Sequence, residues 1–218
     1  MEFTEFWTIL SANGIVLDVE QIDLFKCYHK ELMYWNQKIN LISRQDEDNI
    51  LEKHFIHSLS IIKYVDIPLK AICLDIGTGG GFPGLPLKIT RPDIIMLLSD
   101  SVKKKLTITE MFSKHTKLHN ISCILGRIEN LCNDKNYLQH FDIIVSRAVA
   151  KIDKLLDWCL QLIKDNGKFI FLKGGNIDEE INQAQKKYNK LHFEIKNINI
   201  LGCKSINTAD KKIVIIYK

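Results

Sequence analysis

No apolar run in this 218-residue chain approaches the roughly 18 residues that a membrane-crossing helix needs. The opening residues, Met1-Glu2-Phe3-Thr4-Glu5, are acidic where a secretory leader would be basic. Neither a membrane span nor a signal peptide is expected. C-x-x-C is missing as well: the six cysteines (27, 73, 123, 132, 159 and 203) are scattered, mostly inside apolar runs. That usage suits buried thiols in a reducing compartment better than disulfides or zinc ligands, and predicts a cytoplasmic location. Arginine is scarce. Only four of the 30 basic residues are arginine, at positions 44, 91, 127 and 147. A chain that otherwise relies on lysine keeps arginine where a planar, forked cation is required. The net charge of +4 permits an anionic partner without demanding one.

Against these absences stands one concentrated motif, Asp75-Ile76-Gly77-Thr78-Gly79-Gly80-Gly81-Phe82-Pro83-Gly84. The apolar run Ala71-Ile72-Cys73-Leu74 leads into it and a helical stretch follows, so it reads as a strand, a glycine turn and a helix start. Glycine suits such a turn because it accepts positive φ and leaves no Cβ between backbone and ligand. The D-x-G-x-G-x-G spacing resembles the S-adenosylmethionine (AdoMet) site of Rossmann-like methyltransferases. Residues 79–84 also satisfy G-x-G-x-x-G, the dinucleotide fingerprint. In that reading, however, the first glycine should follow the strand directly. Gly77 holds that place, and counting from it puts the bulky Phe82 sixth. AdoMet is the better match.

Length fits one α/β domain with a modest extension. Residues 1–68 read as a helical cap: Phe3, Phe6, Trp7 and Leu10 share one face, and Ile22, Phe25, Tyr28, Leu32 and Trp35 continue the pattern. Asp18 is a plausible N-cap, and a later helix over 58–64 ends before Pro68. Residues 69–218 alternate, with strands expected at 71–76, 94–99, 121–125, 142–146, 168–172, 192–198 and 212–217. Helices are expected at 83–91, 102–115, 152–164 and 177–189. The alternation predicts a seven-stranded, mostly parallel sheet with helices on both faces. The last two strands, with no clear helix between them, suggest an antiparallel hairpin. No linker separates cap from core, so the two are expected to pack as one unit.

Asp100 ends the second strand, 25 positions after Asp75. It is placed either to accept hydrogen bonds from ribose hydroxyls or to cap the helix near Val102, and the roles can coexist. Gly126-Arg127-Ile128-Glu129 follows the third strand, where a backbone N–H and an acid can read an adenine edge; Glu129 as a solvent-facing helix acid is the bland alternative. Arg147 follows four apolar positions at the end of the fourth strand, facing the crevice. It could pair with the AdoMet carboxylate, a neighbouring acid or a substrate phosphate. The turn after that strand is Ser146-Arg147-Ala148-Val149, not the [DN]-P-P-[FY] of exocyclic-amine methyltransferases. Cys159 sits mid-helix, out of place for a pyrimidine-C5 nucleophile. A ring nitrogen with a free lone pair, such as guanine N7, needs neither device. His54-x-x-His57 and His115-x3-His119 have helical spacing but no third ligand, so no metal is expected. Lys103-Lys104-Lys105 opens a helix where cations are unfavourable, which makes phosphate contacts as credible as a solvated face.

Along nearly its whole length the chain resembles the bacterial small-subunit rRNA methyltransferase G family, also called glucose-inhibited division protein B. The resemblance rests on Trp35-Asn36, Ile39-Asn40-Leu41, Arg44, His54 with Ser58-Leu59, the run 75–86, Asp100-Ser101 and Lys104-Lys105. Arg127 with Glu129, Ser146-Arg147-Ala148 and Leu172-Lys173-Gly174 complete it. It implies methyl transfer from AdoMet, leaving S-adenosylhomocysteine, to N7 of a guanine in 16S rRNA near the decoding region, by a protein expected to be a monomer. It implies AdoMet contacts from Gly77, Phe82, Ile128, Glu129 and Arg147, which join Asp100, expected there from its place at the strand end. RNA contacts are expected from Arg44, Lys104, Lys105 and Lys173, with Arg147 and Lys173 positioning substrate and no general base. Two departures stand out: His57 where the family usually has Asp, and Ile128 where it often has Ala. Two rivals are an AdoMet enzyme acting on a small molecule and a non-catalytic RNA assembly factor that retains AdoMet.

Overall fold

The computed structural model describes residues 1–218. The cap begins with helices α1 (Phe3–Ala12) and α2 (Val19–Asn36). Asp18 starts α2 through a capping box: its side chain accepts from Gln21 N–H, and the Gln21 side chain accepts from Asp18 N–H. A 3-10 turn (Arg44–Asn49) and a π-helical turn (Leu51–Ile56) then run into α3 (His57–Tyr64).

The core alternates strand and helix: β1 (Ile72–Ile76), α4 (Gly84–Thr90), β2 (Ile95–Asp100), α5 (Lys103–His115), β3 (Ile121–Leu125), β4 (Phe141–Arg147) and α6 (Ile152–Cys159). Then come β5 (Ile163–Gly174), α7 (Asp178–Lys187), β6 (His192–Asn197), α8 (Lys204–Thr208) and β7 (Lys211–Tyr217). The sheet order is β3-β2-β1-β4-β5-β7-β6, and only β7 runs against the rest. This is the expected seven-stranded, mostly parallel sheet with its antiparallel hairpin.

Two expectations need correction. The helix anticipated over 152–164 stops at Cys159, and Ile163 already belongs to β5. The apolar residues Leu162 and Ile163 continue the helical pattern in sequence but are spent on the sheet. Phe141 pairs with Ile163 and Ile143 with Lys168, so Asp165-Asn166-Gly167 is accommodated as an irregularity in the strand. Between β6 and β7 lies a short helix, α8, which five residues of weak periodicity do not reveal.

Strand alternation sorts the core. Cys73, Met96, Leu98, Ile143, Val145 and Ile170 face the cap, in one cluster with Phe6, Phe25, Leu32 and Phe55. Leu74, Leu97, Ile144, Phe169 and Phe171 face α6 and α7. The cap therefore shares its apolar interior with one face of the sheet.

Candidate functional site

The glycine loop after β1 is held from several sides. Gly77, Gly79 and Gly81 have φ of 66°, 56° and 105°, values an L side chain resists. Thr78 N–H donates to Ser99 O (2.9 Å), and the Thr109 hydroxyl donates to Gly79 O (2.7 Å). From the cap, the Tyr28 hydroxyl donates to Gly80 O (2.5 Å). Beneath the loop, fully buried Asp75 accepts from the Thr78 hydroxyl (2.6 Å) and Gly84 N–H (2.9 Å) through Oδ2. Its Oδ1 has no partner. Gly84 is required here for space: a Cβ would lie 2.7 Å from Asp75 Oδ2 and 2.4 Å from Leu98 Cδ2. Burial pushes the Asp75 carboxyl up to about 7 against the pull of those hydrogen bonds.

Above the strand ends opens a cleft of about 210 Å³ lined by Gly77, Asp100, Gly126, Ile128 and Glu129. Four of the six residues expected to hold the cofactor thus meet in one place. Asp100 does not cap α5, whose N-cap is Val102 and whose first turn takes no side-chain bond. Its Oδ2 accepts from Gly79 N–H (2.9 Å) and its Oδ1 from Val102 N–H (2.8 Å), yet the residue lines the cleft and each oxygen retains a lone pair. Val149 and Trp158 complete the walls. Neither stands out in the sequence, because only the loop after β4 and the end of α6 bring them there. A Cβ on Gly77 would lie 2.5 Å from Val149 Cγ2.

The other two expected residues lie elsewhere. Phe82 is buried, its ring stacked on Tyr28 (5.5 Å) and beside Phe55 (5.8 Å), so the side chain belongs to the cap core and is not among the cleft's walls. The Arg147 guanidinium lies over that ring at 4.8 Å and donates to Lys53 O (3.2 Å) and His54 Nδ1 (2.5 Å). Burial lowers its pKa to about 10, and no carboxylate lies within salt-bridge reach.

Arg44 is exposed and shares a surface hollow with Lys105; Lys104 is exposed on the same helix. None of the three is in an ion pair. Lys173 differs: its ammonium is bound by Glu180 (2.5 Å) and Ala150 O (2.6 Å), and Glu180 also accepts from Ile152 N–H (2.6 Å). The expected phosphate contact of Lys173 therefore competes with an internal carboxylate, and its evident work is to tie down the loop after β4. Arg91, an arginine without an assigned role, forks onto Asp93 (2.7 and 2.8 Å) and the carbonyl of Ile67 (2.9 Å). No three His, Cys, Asp or Glu side chains converge as a metal ion would need, and no helix is long and apolar enough to cross a membrane.

Comparison with known proteins adds three findings. The model of the family described as rRNA small subunit methyltransferase G matches residues 21–209. Proteins named ribosomal RNA small subunit methyltransferase G are similar to the chain. One from Bacillus subtilis is 36% identical over all of this chain and 91% of its own length. One from Desulforamulus reducens is 40% identical over 88% of this chain and 80% of its own. Among solved structures, a SAM-dependent methyltransferase from Aquifex aeolicus superposes with a TM-score of 0.59 at 12% identity, covering 80% of this chain and 96% of its own. That likeness shows a Rossmann-like methyltransferase fold.

The buried carboxylate generates a stability prediction. Folding raises the Asp75 pKa from 3.8 to about 7, so the stability linked to its proton is whole below about pH 4 and is lost as pH rises to about 7. Asp75→Asn lacks this loss. Its stability relative to wild type, measured by urea unfolding, should therefore improve steadily from pH 4 to 7 and then level. Buried His54 and His57, whose pKa values fall on folding, act in the opposite sense in both proteins and cancel in the difference. A pH-independent difference would mean that Asp75 is already ionised at pH 4.

Proposed function

The chain belongs to the rRNA small subunit methyltransferase G family, and from that premise we propose that it methylates N7 of a guanine in 16S rRNA, using AdoMet. The observation that carries this acceptor is the lack of a poised base around the crevice. Burial, then the nearby Arg147 charge, brings His54 down to about 3, and the same causes hold His57 well below its ordinary value. Asp46 is spent on Lys53 (2.6 Å), Asp100 on two N–H groups, and Asp75 lies buried behind the loop. Guanine N7 has a lone pair and no proton to lose, so it asks for no base.

The cleft residues fit AdoMet: bare backbone at Gly77 and Gly126, with acids at Asp100 and Glu129 able to accept from hydroxyl and amino groups. When bound, AdoMet supplies a methyl group on a sulfonium centre. Asp100 and Glu129 would then orient the nucleoside end, Ile128 would cover the ring, and the pinned glycine loop would keep the site rigid. Arg147, fixed by Phe82 and His54, would position the acceptor nucleotide, and Arg44, Lys104 and Lys105 would meet RNA phosphates. Lys173 would act through the loop it restrains. With six free thiols, we read the protein as a cytoplasmic monomer.

Transfer of labelled methyl from AdoMet to small ribosomal subunits, naked rRNA and a metabolite pool is the first test, and label in the metabolites alone would overturn the RNA reading. In the cleft, Gly77→Ala should cost about 1–2 kcal/mol of stability from its positive φ. It should also lower AdoMet affinity by about tenfold or more, as read by calorimetry; unchanged affinity would move the cofactor site.

For RNA, alanine at Arg44, Lys104 or Lys105 should spare AdoMet affinity. Each should make the salt dependence of RNA binding shallower, by about 0.7–0.9 in log–log slope for every phosphate left without its cation. Unaltered slopes in all three would place the RNA face elsewhere.

For mechanism, the single-turnover rate at saturating RNA should be nearly flat between about pH 6 and 9. Any inflection near 7 should vanish in Asp75→Asn, since Asp75 titrates there without touching the acceptor. Substituting 7-deazaguanine at the target should stop methylation and leave RNA binding intact. A rate rising tenfold per pH unit in both proteins would be decisive against this chemistry.

A further inference from the structure

A second cavity, of about 470 Å³, lies between the π-helical turn of the cap and the ends of β4, β5 and β7. Its charges do not balance. Lys53 is paired with Asp46 and Lys173 with Glu180, but Arg147 and Lys211 have no carboxylate within salt-bridge distance. Lys211 reaches the cavity across Gly174, its partner on β5: a Cβ there would lie 3.2 Å from Lys211 Nζ, so a larger residue would crowd the ammonium. This gives the last residue of the Leu172-Lys173-Gly174 motif a physical reason. His57, only 5% exposed, lines the same cavity with an unpartnered Nε2. Because Arg147 can only donate, His54 Nδ1 must accept, which places the His54 proton on Nε2, 3.4 Å from Asp46.

Resting on the proposed function above, we propose that this cavity is an oxyanion site, in which Arg147, Lys211 and His57 hold a phosphate of the RNA strand. Burial disfavours the Arg147 charge, Lys211 is half-buried on the cavity wall, and neither has a counter-ion, so an anion would offset them. His57 contributes conditionally. Its Nε2 is sealed from water and has no partner. Burial, then the charges of Arg147 and Lys211, keep it neutral, while the Asp46–Lys53 and Lys173–Glu180 pairs add little net charge and the Glu52 carboxylate is bound by Ser205 on the cavity wall. A bound anion reverses the balance of charge, so that Nε2 takes a proton and becomes a third donor.

Inorganic sulfate tests this, since it stays a dianion across the range and its titration cannot mimic that of His57. With ionic strength matched by chloride, calorimetry on the full chain should find saturable sulfate binding that tightens from pH 8 to pH 6 with proton uptake. Lys211→Met keeps the stem and should weaken binding about tenfold, the loss of one charge-assisted hydrogen bond. His57→Asp installs an internal counter-ion and should abolish it. Both variants should bind AdoMet within about twofold of wild type, and sulfate should inhibit methyl transfer competitively with RNA. Absence of saturable binding to wild type, or retention of it in Lys211→Met, would overturn the site. Competition of sulfate with AdoMet would also overturn it, by assigning the anion to the cofactor's carboxylate. Loss of methyl transfer to rRNA in wild type would instead strike the functional reading and leave the sulfate result standing by itself.

Discussion

Everything at the site depends on one buried carboxylate. Asp75 reaches from the end of β1 to the Thr78 hydroxyl and to Gly84 N–H, so a single oxygen fixes both the start of the glycine loop and the start of α4. The cost is an ionisable group sealed from water with one oxygen unpaired. That cost sets the loop geometry on which the cleft walls at Gly77 and Asp100 are built.

The cap is the second support. Tyr28 donates to Gly80 O while its ring packs against both Phe55 and Phe82, so the loop is gripped by backbone and side chain at once. Gln21 does the same for α4, donating to the carbonyls of Ile89 and Thr90. Arg147 closes the arrangement from the sheet side, since its guanidinium lies on Phe82 and bonds His54. The aromatic residue of the G-F-P-G run thus joins cap, loop and crevice. Phe82 is also a residue that the family resemblance offers as a cofactor contact, and its ring lies at this junction.

The fold is legible in the sequence because strand burial leaves a strong mark. Ile143 to Val145 and Phe169 to Leu172 are runs that only a covered sheet can use, and Asp18 announces α2 by its spacing to Gln21. The end of α6 is not legible, because Leu162 and Ile163 satisfy helix and strand periodicity alike and only pairing with Phe141 decides. The cleft residues Gly77, Asp100, Ile128 and Glu129 all sit at or just after strand ends, a place that sequence reading identifies. Lys173 shows the limit. Its residue type suggests a phosphate, but Glu180, across a turn on α7, claims the ammonium first. Lys211 is hidden for the converse reason: nothing local distinguishes it, and its meaning comes from the empty space over Gly174.

The placement of β7 bears on how the chain is made. It slots between β5 and β6, the only strand against the grain, and it alone is hydrogen-bonded to β6. As synthesis proceeds from the N-terminus, β6 emerges with no neighbour to hold it, and the edge of β5 from Lys168 to Gly174 stays open. Every wall of the cleft around Gly77 and Asp100 is already present at that stage, since none of its lining residues lies beyond Trp158. Lys211 arrives only with the final strand. A nascent chain would therefore complete the cleft around Gly77 and Asp100 before Lys211 closes the second cavity.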